Sequence, residues 1–288
     1  MDPSLARGVK NQFFRDISKE VEQAAQRYTK QTKTYKAWSS LNNWNRYTKE
    51  IENIFSHFLI DKFNGGSKRK PILCISTLDS DPLKKFNSWN EQCLNSVQLL
   101  IIFSPWHVDA VYSGYSLSEH TIQRIFERAI SIDEFRNNDN NLFAFSSELL
   151  ETPFWSSYWI ARALDIFASS RTDVIYPVIP TKSGLFFGEM TREKIHKVEI
   201  RTFVSDAMLF PDQFALKQLM LNARGKMRGN SIAFFPSIQI SGIANQEQDF
   251  SDFVSLVQPF ESSLFEVASS QRVRSQLRDD LPKLTNGT

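Results

Sequence analysis

Cysteine is scarce. Cys74 and Cys93 are the only two, too few for a disulfide framework and too sparse for a zinc site, so both read as buried thiols. The ten glycines form neither the dinucleotide-binding fingerprint nor the Walker A loop, and neither the Gly-x-Ser-x-Gly elbow nor the His-Glu-x-x-His pattern occurs. Long apolar runs are also missing: the longest, Leu99 to Phe103, is far too short to cross a bilayer, and Met1 to Arg7 lack the apolar stretch of a signal peptide. The expectation is a soluble chain in the cytoplasm, without membrane contact, on which the sequon at Asn286 is a chance match. Nor is there an excess of one charge. With 34 Lys and Arg against 32 Asp and Glu the net charge is +2, which excludes a non-specific nucleic-acid coat and confines any such contact to local patches.

The 288 residues are 41% hydrophobic, and 24 Phe against 7 Tyr mark the aromatic content as core filling. That length suits one large domain or two of modest size. Phe13, Phe14, Ile17, Val21, Ala24, Ala25 and Tyr28 recur at helical spacing, and so do Leu41, Trp44, Tyr47, Ile51, Phe55, Leu59 and Phe63 until Gly65 and Gly66. Residues 1–64 therefore read as a helical hairpin, one that offers a surface for a protein partner. Residues 65–288 read as a separate sheet-bearing region, entered through a flexible basic connector from Gly65 to Pro71. Strands are expected at Ile72 to Ser76, Val97 to Phe103, Val174 to Ile179, Leu185 to Gly188 and Val198 to Val204. Helices are expected at Leu83 to Leu94, Ser146 to Ser169, Pro211 to Ala223 and Phe250 to Ala268, with a mobile tail after Gln271. The fold class is α+β: an N-terminal helical hairpin, then a mixed, largely antiparallel sheet with flanking helices.

The richest local constellation lies between Tyr115 and Ala129. Ser116 and Glu119 have capping-box spacing and Ser118 is a rival N-cap, so a helix starts here. Ile122, Ile125, Phe126 and Ala129 fall on one side of it, and His120, Arg124, Glu127 and Arg128 on the other. A histidine beside a cation one turn later, at a helix N-terminus that favours anions, supplies a proton carrier and a phosphate clamp. That pairing suits RNA cleavage without a metal, where the substrate's own 2′-hydroxyl attacks. No cofactor and no metal ligand set is implied.

With His120 and Arg124 on one helix, followed by the glycine turn from Ser183 to Gly188 and the strand Arg201 to Val204, residues 110–205 resemble the ribonuclease-toxin superfamily grouped around barnase, EndoU, the RNA-cleaving colicins and RelE-like toxins. The resemblance implies a hydrolase acting as a toxin or defence effector, with RNA as partner and with His120, Arg124 and Thr202 as catalytic residues. Arg128, Lys182 and Arg201 would bind substrate, as would Arg224, Lys226 and Arg228 of a glycine-punctuated basic loop. Alternation along the strand puts Thr202 with Val198, Ile200 and Val204 on the apolar face.

Two other readings stand beside this one. A non-catalytic interaction module would bind a partner through residues 1–64. A DNA-binding regulator would read the major groove with Gln123, Arg124 and Arg128. His107, after Trp106, is a second functional candidate, whereas His57 and His196 carry no role. Trp155, Tyr158 and Trp159, at helical spacing among aliphatics, read as core.

Overall fold

The computed structural model describes residues 2–31, 49, 59–67, 70–78, 93–103, 108–130, 141–169 and 172–227. They form an α+β fold in which helices pack on a mixed sheet. The strands are β1 (Leu59–Ser67), β2 (Lys70–Leu78), β3 (Cys93–Phe103), β4 (Val108–Ser118), β5 (Val174–Ile175), β6 (Val178–Pro180), β7 (Gly184–Thr191) and β8 (Lys197–Ser205). The helices are α1 (Pro3–Gln31), α2 (Glu119–Arg128), α3 (Asn141–Glu148), α4 (Thr152–Ser169) and α5 (Pro211–Met227). Two 3₁₀ turns, η1 (Arg192–Lys194) and η2 (Asp206–Met208), flank β8.

The sheet order is β1-β2-β3-β4-β8-β7-β5, with β6 also on β7. Strands β1 to β4 run as an antiparallel meander. The β4–β8 pairing is parallel, from Gly114↔Lys197 to Leu117↔Ile200, and joins that meander to the antiparallel strands β6, β7 and β8. The chain between β4 and β8 contains α2, α3 and α4, which supplies the long crossover that a parallel pair needs.

One apolar core serves α1 through α5. Phe13 of α1 is 1% exposed and meets Phe126 of α2 at 5.3 Å and Phe145 of α3 at 4.5 Å between ring centroids. Trp155, Tyr158 and Trp159 are buried, as their spacing predicts, and the Trp159 indole donates to the Val178 carbonyl at 2.9 Å. Cys93 is buried, and its thiol donates to Asn95 Oδ1 at 3.6 Å. No helix among the described residues is long and apolar enough to cross a membrane.

Several expected boundaries move. The helix expected to continue to Phe63 gives way to β1 at Leu59, and Gly65 and Gly66 do not stop a helix but pair with Ile72 and Pro71 of β2. The supposed flexible connector thus supplies ladder residues on both sides of Lys68 and Arg69. Apart from Lys49, which is helical, residues 32–58 of the second expected helix lie outside the described residues. The described apolar side chains of α1, from Ala6 to Ile17, enter the common core. Cys93 and Leu94, expected at the end of a helix, begin β3. The expected helix from Ser146 to Ser169 divides into α3 and α4 because the Leu149 and Thr152 amides close tight turns on the Ser146 and Leu149 carbonyls. Pro153 then occupies the first turn of α4, where its missing N–H costs nothing. The strand expected from Val174 to Ile179 breaks around Tyr176 and Pro177, whose carbonyl accepts from the Gly188 amide at 2.8 Å. Helix α5 runs four residues past Ala223, to Met227, so Arg224 and Lys226 are helical and do not belong to a loop. The helix expected from Phe250, and the tail after Gln271, lie outside the described residues.

Candidate functional site

The N-cap of α2 is Ser118, not Ser116, which belongs to β4. Ser118 Oγ accepts from the Thr121 amide at 3.1 Å and satisfies one of the donors that every helix start leaves open. The same helix is stitched to β8 by three side chains that donate to strand carbonyls. Ser118 Oγ reaches the Arg201 carbonyl at 3.2 Å, Thr121 Oγ1 the Ile200 carbonyl at 3.2 Å, and Arg128 Nη1 the Phe203 carbonyl at 2.8 Å. These carbonyls are accessible for a local reason. The register between β7 and β8 shifts from Gly188↔Ile200 to Phe187↔Thr202, a bulge at Arg201, and the parallel pairing with β4 ends at Ile200.

The bulge also corrects the expected strand faces. Beyond it Phe203 is fully buried and Thr202 only half-buried, so Thr202 does not continue the apolar row of Val198 and Ile200. A side-chain period of two survives only while the register does.

On its outer face α2 brings His120 and Arg124 together, as their spacing predicts. Arg124 Nε donates to His120 Nε2 at 3.4 Å, and the same guanidinium forms an ion pair with Glu127 one turn on. Gln123 Nε2 donates to the other Glu127 oxygen at 2.8 Å. His120 is exposed, Arg124 half-buried and the Glu127 side chain only 5% exposed, so an open imidazole rests on a cation that a buried carboxylate holds in place. Beside them, buried Lys10 of α1 pairs with Glu119. Glu127 and Lys10 are the supporting residues that sequence reasoning missed. The i,i+3 spacing pointed to the Arg124–Glu127 pair but not to the burial of its carboxylate, and nothing local pointed to Lys10.

Burial pushes the Glu127 carboxyl upward, but hydrogen bonds from Gln123 and Arg124, with the charges of Arg124 and Arg128, outweigh it and hold the group below its ordinary 4.5. A carboxylate shifted down contributes stability above its unfolded value and loses it as pH falls through the lower folded value. Stability should therefore drop from pH about 4.5 downward. Glu127→Gln should flatten this part of the profile of unfolding midpoint against pH; an unchanged acid limb would show that the carboxylate is not held as described.

Other expected site residues go elsewhere. Arg201 turns its guanidinium to Glu189 and Glu199, at 3.8 and 3.9 Å. Lys182 is exposed in the β6–β7 turn, and buried Lys217 anchors that turn by donating to the Lys182 carbonyl and to both Asp206 oxygens. Arg224 pairs with Glu151 at 3.4 Å and lies over the Phe154 ring at 4.4 Å. It is a structural cation of α5 and not a loop arginine. The Lys226 side chain, Arg228, His57 and His107 lie outside what is described, and His196 sits in the turn before β8, its carbonyl accepting from the Gly114 amide at 3.2 Å. A cleft does lie beside β7 and β8, but neither His120 nor Arg124 lines it.

No family model, curated protein or solved structure matches this chain.

Proposed function

We propose that the chain is a metal-independent endoribonuclease, a toxin or defence effector, with His120 as acid–base group and Arg124 as phosphate clamp. One observation carries this reading: the helix bearing both residues is fastened by three side-chain bonds to β8, the strand bearing Arg201 and Thr202. In the proposed step His120 takes the proton of the substrate 2′-hydroxyl as its oxygen bonds to phosphorus. The P–O5′ bond breaks, the leaving oxygen takes a proton from water, and a 2′,3′-cyclic phosphate remains. Arg124 has five donors, and those not directed at His120 and Glu127 would meet the phosphate oxygens.

The alternatives draw less support. Ala6, Val9, Phe13, Phe14 and Ile17 of α1 are spent inside the core and do not present a partner surface. Of the side chains suited to reading DNA bases, Gln123 bonds Glu127 and Arg128 bonds the Phe203 carbonyl. The test is incubation of the full chain with RNA in excess chelator. Fragments ending in 2′,3′-cyclic phosphate are expected. Intact RNA, or cleavage only after Mg²⁺ or Mn²⁺ is restored, would overturn the proposal.

A further inference from the structure

Between β5, β7, β8 and η1 lies a cleft of about 520 Å³. Four carboxylates line it, from Asp173, Glu189, Glu193 and Glu199, together with three cations, from Arg192, Lys194 and Lys197. The strand pattern explains the density of charge. Lys197, Glu199 and Arg201 alternate along β8 on the side opposite buried Val198 and Ile200, and Glu189 is the direct cross-strand partner of Glu199. Like charges placed opposite each other weaken a sheet unless cations offset them. Here Arg201 lies 3.8 Å from Glu189 and 3.9 Å from Glu199, and Lys194 lies 3.4 Å from Glu199.

Glu189, Glu199 and Arg201 are recessed, whereas the Asp173, Arg192 and Lys194 side chains are 79%, 45% and 46% exposed. The Glu199 side chain is 8% exposed, and those of Glu189 and Arg201 are each 21% exposed. A solvated strand face would leave charged side chains far more open, and recession strengthens any charge interaction made inside. With Arg201 behind the lining, four cations stand against four carboxylates. A lone anion or a lone cation would upset that balance. A molecule carrying both charges would not, and it would find ammonium groups, carboxylates and the apolar surface of Met190 and Val174 within one cleft.

We propose that this cleft binds a small zwitterion of the amino-acid class, its carboxylate against Lys194 and Lys197 and its ammonium against Glu189 and Glu193. Paired opposite charges at fixed spacing select for a ligand that satisfies both ends at once. This site does not depend on the nuclease reading, since His120 and Arg124 are not among its residues.

Calorimetric titration of the full chain with glycine, leucine, glutamate and arginine tests it, with acetate, methylammonium and inorganic phosphate as single-charge controls. At least one amino acid should give a saturable isotherm that the controls do not reproduce. Glu193→Gln, on the exposed turn η1, should weaken it about tenfold or more while leaving the circular dichroism melt unchanged, and Lys197→Gln, which also removes a 2.7 Å bond to the buried Asn95 side chain, should weaken it likewise. Should Lys197→Gln fail to fold, Glu193→Gln alone decides. The proposal is overturned if no amino acid binds, if a single-charge control binds as well, or if Glu193→Gln leaves binding unaltered.

Discussion

Replacing Gly184 with Ala should destabilise the chain by about 3 kcal/mol, with the unfolding midpoint in denaturant shifting accordingly. Gly184 opens β7 opposite Ser205, immediately after the turn that Lys217 anchors. A Cβ there would sit 2.2 Å from the Val204 carbonyl oxygen and 2.7 and 2.9 Å from two atoms of the Phe203 ring. The ring packs edge-on against Phe186 at 5.7 Å, and the carbonyl belongs to the strand paired with β7, so neither can give way without disturbing sheet or core. Gly8 supplies the contrast. It lies inside α1 with nothing within 4 Å of an added Cβ, so Gly8→Ala should stabilise the chain by about 1 kcal/mol. Equal midpoints for Gly184→Ala and the unaltered chain would mean that the close approach of β7 and β8 is not as described.

Much of the framework was legible in residue patterns. The run from Val97 to Phe103, the alternation from Val198 and the stripe from Phe13 to Ile17 each became the expected element, because hydrophobic period reports local geometry directly. The errors cluster where pairing decides the outcome. Leu59 and Phe63 fit a helix by spacing, yet they join a ladder with β2, and no property of residues 59–67 alone names that partner. Pro177 interrupts an edge strand, where a residue without an N–H is tolerated, and the interruption leaves β5 and β6 as separate pieces on β7.

For the site the split is similar. The adjacency of His120 and Arg124 followed from a period of 3.6 residues. The neighbours that define their surroundings did not: Lys10 reaches Glu119 across 109 residues, and Ser118 reaches the Arg201 carbonyl across 83. Thr202 departs from the buried row of Val198 and Ile200 because the register shifts at the bulge beside it. The cleft residues left a faint trace in the alternation of Lys197, Glu199 and Arg201, but such alternation on a strand ordinarily marks a solvated face. Only the recession of Glu199 and Arg201 beside Glu189 sets them apart.

His120→Ala should lower RNA cleavage about 10²-fold, the scale of a positioned general acid or base. The imidazole is exposed and rests on Arg124, so its removal should cost little stability. Lost activity in a variant with an unchanged melt would therefore report on chemistry. The decisive measurement is the single-turnover rate on one defined RNA in chelator, for the full chain and for its His120→Ala form at equal concentration. A rate about 10²-fold lower, with the unfolding midpoint retained, is the expected result. Equal rates in the two proteins would contradict the assignment of His120 as the group that moves the proton.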